Sequence, residues 1–234
     1  RSIPADVWFV GALHDTADDS ISYYDLEALP PSHAATFQTA YDVLELARRE
    51  DALERSRRFD DAPLDQAVEG VINGIFFNQG HVCCAGSRLY VQESVYKIVL
   101  QKLKDRLETL IVGDPLDKNT DIGAINSKEQ LETINKYLKI GQQEGAEMYQ
   151  PSCSIPKKGF YCRPTIFTNV AQSNRIAQEE IFGPVLTIQT FRTDDEVIEK
   201  ANNTPFGLSA GVWTDKGSKI FNLTTKLRAG VVWA

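Results

Sequence analysis

The chain is poor in the residues that would place it in several protein classes. Among 234 residues only four are cysteine, too few for the disulfide framework that holds small secreted domains together. Cys83 and Cys84 are adjacent and badly placed to bridge each other. No pair has C-x-x-C spacing, and Cys153-x8-Cys162 is not a zinc pattern even with His81 added, so no metal site is expected. No stretch approaches the roughly 18 uninterrupted apolar residues of a membrane helix, and no charged start leads into a cleavable apolar run. Basic residues are in deficit, 25 Lys+Arg against 32 Asp+Glu for a net charge of −7, which argues against a nucleic-acid or anionic-membrane partner. A reduced, intracellular compartment, the cytoplasm, is the expectation. Internal repeats are absent too, as are Gly-x-Gly-x-x-Gly and Gly-x-x-x-x-Gly-Lys, the turns that cradle phosphates at a helix N-terminus.

What is present is an ordinary globular composition, 42% apolar and 24% charged, able to bury a sizeable core. The chain starts at Arg1 and stops in what reads as a strand, so it is read as a fragment. Residues 1 to 58 hold no sustained period. Ten of the fifteen residues from Ala47 to Asp61 are charged, with both signs interleaved, which is the pattern of a solvated helix face or a link. Order begins near Phe59. Asp60-Asp61-Ala62-Pro63 supplies caps and a first-turn proline, apolar residues from Leu64 to Phe76 have helical spacing, and Asn78-Gln79-Gly80 is the expected stop.

A loop from His81 to Ser87 and a strand at 89–91 come next. Ser94 is expected to cap a helix to about Leu110, with Val95, Ile98, Val99, Leu103 and Leu107 on its apolar face. Ser127 with Gln130 reads as a capping box for a helix to Gly145. Strands are expected at 146–149, 165–167, 185–191, 209–213 and 231–233. Further helices are expected from Asp194 to Asn202 and from Lys216 to Leu227. Alternation of strands and helices argues for an α/β fold, a parallel sheet with helices on both faces.

The loop Asn78-Gln79-Gly80-His81-Val82-Cys83-Cys84-Ala85-Gly86-Ser87-Arg88 lies between a helix end and a strand start, where a rigid scaffold holds functional residues. Its small residues Gly80, Ala85 and Gly86 would admit another molecule close to the thiols. A nucleophilic thiol is one reading; small buried hydrophobes are the other, since free cysteines are usually that.

This loop resembles the active-site cysteine signature of the aldehyde dehydrogenase superfamily. Phe59-Asp60-Asp61-Ala62, Gln178-Glu179-Glu180-Ile181-Phe182-Gly183-Pro184-Val185 and Ala201-Asn202-Asn203-Thr204-Pro205-Phe206-Gly207-Leu208-Ser209-Ala210 are similar to further stretches of that family, in the same order. The resemblance implies a partial catalytic domain over 59–234, with Cys83 as nucleophile. It also implies Glu180 as the acceptor of the nicotinamide ribose hydroxyls and Phe182 as the support of the nicotinamide ring of NAD or NADP. The implied reaction oxidises a small-molecule aldehyde to a carboxylate through a thiohemiacetal and a thioester on Cys83. The backbone N–H of Cys83 is the natural local donor to the oxyanion. In its full-length form such a protein is expected to be a homo-oligomer.

Departures accompany the likeness. The family's general base sits in Glu-Leu-Gly-Gly-Lys, whereas this chain has Leu44-Glu45-Leu46-Ala47-Arg48, which leaves Glu45 uncommitted. His81 stands where the family usually has glutamine; protonated, it could lower a neighbouring thiol pKa, and otherwise it is a loop residue. Residues 1 to 58 are of foreign character, either a divergent segment or a wrongly joined one. The isolated chain is therefore expected to turn over weakly or not at all. A non-catalytic scaffold and a cofactor-independent thiol hydrolase are the alternatives, the last limited by having only His14, His33 and His81 to draw on.

Overall fold

A computed structural model of the chain describes Val7–Val10, as backbone, and residues 64–234. Seven strands form one sheet in the order β3-β4-β5-β2-β1-β6-β7. They are β1 (Val7–Val10), β2 (Arg88–Gln92), β3 (Glu147–Tyr149), β4 (Thr165–Thr168), β5 (Val185–Phe191), β6 (Ser209–Trp213) and β7 (Val231–Trp233). The α/β expectation holds, with one correction to the all-parallel sheet. β4, β5 and β2 pair in parallel, as do β6 and β7, but β1 runs antiparallel to both β2 and β6, and β3 antiparallel to β4. β1 comes from the segment in which no element was expected. Its pairing with β2 lies some 80 residues away in sequence, beyond any local signal.

Among the described residues six α-helices accompany the sheet: α1 (Leu64–Phe76), α2 (Tyr96–Glu108), α3 (Lys128–Gln143), the one-turn α4 (Arg175–Gln178), α5 (Asp194–Asn202) and α6 (Gly217–Thr224). Side chains alternate across a strand, and the core divides accordingly. Leu89 and Val91 of β2 pack with α1 and α2 in one cluster, while Tyr90 between them packs with α5 and α6 on the opposite face. β4 does likewise: Ile166 joins the first cluster and Phe167 joins α3 and α4 in a third. Helices therefore lie on both faces. α1 buries Ala67, Val68, Val71, Ile72, Ile75 and Phe76, and each large side chain among them contributes roughly 1.5–3 kcal/mol relative to exposure.

Several boundaries differ from expectation for local reasons. Ser94 does not cap α2, whose N-cap is Val95 with no side-chain bond, and Ile98 is turned outward at 51% exposure. Thr193, not Asp194, caps α5, accepting from the Glu196 N–H at 3.2 Å and leaving Asp194 in the acidic first turn. Ser127 caps α3 as expected, accepting from the Gln130 N–H at 3.1 Å. The capping box is only half formed, because the Gln130 side chain is engaged elsewhere. The expected caps at residues 60–63, Glu45, His14 and His33 all lie outside the described residues. Among the described residues no helix is long and apolar enough to cross a membrane.

Candidate active site

α1 stops at Phe76, and the turn Phe77–Gly80 follows with left-handed backbone at Asn78 (φ 49°), Gln79 (φ 59°) and Gly80 (φ 74°). Two consecutive non-glycine residues in that region are uncommon and are held there by their surroundings. Asn78 clamps the next residue from both sides, its carbonyl accepting from the His81 N–H at 2.9 Å and its Nδ2 donating to the His81 carbonyl at 3.1 Å. The Gln79 Oε1 accepts from the Gly123 N–H at 3.0 Å. Beyond Cys84 the chain is fixed again: the Gly86 N–H donates to Gly74 in α1, and the Ser87 carbonyl accepts from the Thr187 N–H of β5.

Between these anchors Cys83 is exposed and Cys84 half-buried, and all four cysteines are free. Among the described residues no backbone carbonyl accepts from the N–H of Cys83 or Cys84, and the Cys84 N–H is engaged by its own thiol. Burial first, and then the neighbouring charge of Cys83, push the Cys84 thiol above its ordinary range. Burial raises Cys153 as well, and Cys162 to about 11. The most accessible thiol is thus the one singled out as nucleophile, and its three companions are held protonated.

A second loop, 179–184, faces the first. Gly80 and Val82 on one side and Glu180, Phe182 and Gly183 on the other line a small cleft floored by Ile75 and Val185. Glu179 and Glu180 are separated by their surroundings. The Glu179 carboxylate takes a two-pronged ion pair from Arg175, at 2.7 and 2.8 Å, and the Tyr137 hydroxyl at 2.6 Å, which together bring its pKa down to about 2. Glu179 is structural, and Glu180 is the carboxylate on the cleft. Phe182 has φ 52° and its ring is 36% exposed. The His81 ring is stacked on it, centroids 5.5 Å apart and planes 7° from parallel. Burial lowers the His81 pKa, so the imidazole is neutral near pH 7 and does not supply the positive charge that would activate a thiol. No hydrogen bond joins it to Cys83, and its Nε2 is buried without a partner.

Two residues to which the motifs gave no role at the site hold the second loop. Gln130 donates from Nε2 to the carbonyls of Ile181 and Phe182, both at 2.9 Å. Arg88, only 2% exposed, donates from Nε to the Ala177 carbonyl, two residues before Glu179. Its guanidinium lies 5.2 Å over the Phe206 ring, and it feels the Glu180 charge. One buried cation, the last residue of the cysteine signature, therefore reaches the carbonyl just before the glutamate stretch and the ring of the Pro-Phe-Gly stretch. Its sequence signal was its place at the end of the cysteine signature, where a charged residue opens the largely apolar strand β2. Among the described residues no three His, Cys, Asp or Glu side chains converge to hold a metal.

An exposed thiol thus sits on a clamped loop beside a second loop that carries a cleft carboxylate and an exposed aromatic residue. Residues 58–234 match the model of the aldehyde dehydrogenase family, and the chain belongs to that family. It is 46% identical over 175 residues to retinal dehydrogenase 2 of Taeniopygia guttata, covering 75% of this chain and 34% of that protein. Among solved structures, an NAD-dependent aldehyde dehydrogenase from Sinorhizobium meliloti superposes with a TM-score of 0.71 at 40% identity, over 74% of this chain and 34% of that one. An indole-3-acetaldehyde dehydrogenase complexed with NAD+ gives 0.71 at 44% identity, over 74% and 36%. The chain thus spans about a third of the length of the relatives it matches. Residues 1–73 match a second model, described as probable inorganic carbon transporter subunit DabA, and the two matches overlap at 58–73.

Proposed function

We propose that residues 59–234 form the catalytic part of an NAD(P)-dependent enzyme that oxidises a small-molecule aldehyde to a carboxylate, with Cys83 as its nucleophile. The observation that carries this reading is the exposure of Cys83 on a loop locked against the one bearing Glu180 and Phe182. The Cys83 thiolate adds to the aldehyde carbon, forming the C–S bond and pushing the carbonyl electron pair onto oxygen. The N–H of Cys83, which no backbone carbonyl engages among the described residues, would be the local donor to that oxyanion. Protonated Cys84 beside it keeps a second negative charge out of the site.

The cleft suits the nicotinamide end of the cofactor, since a carboxylate acceptor next to an exposed aromatic ring matches a ribose diol carrying a flat heteroaromatic ring. Glu180 would hold the ribose hydroxyls and Phe182 would support the ring. When bound, the nicotinamide supplies the hydride acceptor whose reduction leaves a thioester on Cys83. The phosphate-cradling glycine turn is missing from this sequence, so the remainder of the cofactor would be held by residues outside the chain. The full-length protein is read as a homo-oligomer working in the cytoplasm, consistent with four free thiols.

Peptide-level alkylation with iodoacetamide tests the assignment. Cys83 should label fastest, Cys162 slowest, and Cys83→Ala should remove the fast phase. Equal, slow labelling of all four would favour a non-catalytic scaffold of the same fold. The isolated chain should form little NADH from aldehyde; appreciable turnover abolished by Cys83→Ala would overturn that expectation.

A further inference from the structure

We propose that His81 is a positioning residue: by stacking on Phe182 it fastens the nucleophile loop to the nicotinamide-side loop and so fixes how Cys83 and Phe182 face one another. This rests on the roles given above to Cys83 and Phe182. Both stacked residues are set on backbone that cannot easily turn. His81 is gripped at its N–H and its carbonyl by Asn78, itself at φ 49°. Phe182 sits at φ 52° with its carbonyl held by Gln130. A centroid distance of 5.5 Å with planes 7° apart is the offset-stacked arrangement aromatic pairs prefer.

The imidazole acts here through its face. Its Nε2 is buried with no hydrogen-bond partner among the described residues, so the contact that holds the ring is the stack on Phe182. Lying two residues before Cys83, the ring transmits any rotation of Phe182 to the sulfur-bearing segment, and it covers one face of Phe182 while leaving the ring accessible elsewhere. A glutamine at this position could fill the space but would not present a flat ring to hold its partner parallel.

The full chain gives a direct test. In the native protein the His81 ring protons should resonate upfield of those of His14 and His33, and Phe182→Ala should abolish the displacement. His81→Ala and His81→Gln should slow Cys83 alkylation by about threefold or more, the size of one stacking interaction, because a loosened loop no longer holds the Cys83 segment in one geometry. His81→Phe should restore the native rate. The double variant His81→Ala/Phe182→Ala should react no more slowly than the worse single variant, since both remove one contact. Undisplaced His81 protons, an unchanged rate in His81→Ala, or additive effects would each overturn the proposal. Failure of the underlying assignment is read separately: in that case Cys83 of the native chain labels no faster than Cys153.

Discussion

Gly80 and Gly183 meet backbone to backbone. A Cβ added to Gly80 would stand 2.2 Å from the Gly183 carbonyl oxygen, at a residue whose φ is already +74°. The cysteine loop and the glutamate loop therefore touch with no side chain between them, and the distance from Cys83 to the Glu180 side of the cleft is set by two glycines.

Substitution at the two positions should not be equivalent. Gly80→Ala meets a rigid carbonyl and a left-handed backbone together, and should cost roughly 2–4 kcal/mol. Gly183→Ala meets the Ile134 side chain, with Cδ1 at 2.6 Å, which can move, so its cost should be smaller and partly relieved by Ile134→Val. Urea denaturation of the four proteins decides the matter. A Gly80→Ala protein as stable as Gly183→Ala would mean that the two loops do not make this contact.

This junction also marks the limit of what the sequence reveals. The turn at Asn78-Gln79-Gly80 was legible from residue types, yet its small residues suggested room for a ligand, and at Gly80 that room is taken by the chain's own Gly183. Helical spacing from Leu64 to Phe76 and the Ser127 cap were legible because both signals lie within a few residues. Nothing local could assign the Gln130 side chain to carbonyls 51 and 52 positions away, Arg88 to a carbonyl 89 positions away, or β1 to its antiparallel place. Glu179 and Glu180 are chemically identical in sequence. Family spacing singled out Glu180, and the physical distinction appears only once Arg175 and Tyr137 are seen to occupy Glu179.

Gln130 should matter more for the site than for the fold. Gln130→Ala removes two donors from the carbonyls of Ile181 and Phe182, at about 1–2 kcal/mol in all, while the Ser127 cap, which uses the Gln130 backbone N–H, is retained. Amide hydrogen exchange should therefore quicken in residues 181–183 with little change along α3. Uniform quickening through α3 would show that the side chain stabilises the helix instead.

Arg88 allows two electrostatic effects to be weighed. Its charge is buried, with one guanidinium nitrogen, Nη1, lacking a partner, so desolvation opposes it, while the Ala177 carbonyl, the Phe206 ring and Glu180 favour it. Arg88→Met removes the charge at similar volume and strands the Ala177 carbonyl, at a cost of about 1–3 kcal/mol. Arg88→Lys keeps a charge that can neither lie flat on Phe206 nor reproduce the Nε geometry, and should be the less stable of the two. Chemical denaturation orders them. If the lysine variant is the more stable, attraction to Glu180 outweighs desolvation.

The neutral His81 stack should leave a signature in stability against pH. Burial puts the folded pKa of His81 below its ordinary 6.5, so as pH falls through 6.5 the unfolded chain takes up a proton before the folded one does. Stability tied to this residue is thus complete above about pH 6.5, declines below it, and levels off once pH passes the folded value. Glu179, lowered from 4.5 to about 2, also loses stabilisation in acid, but only as pH falls below 4.5, so the two windows separate. Denaturation of the native chain and of His81→Phe between pH 7 and pH 5 isolates the effect, because the two proteins differ only in that ring. The native protein should lose stability relative to the phenylalanine variant across that range. A constant difference would mean that the imidazole is as free to protonate in the folded chain as in water, and that the ring is not packed against Phe182.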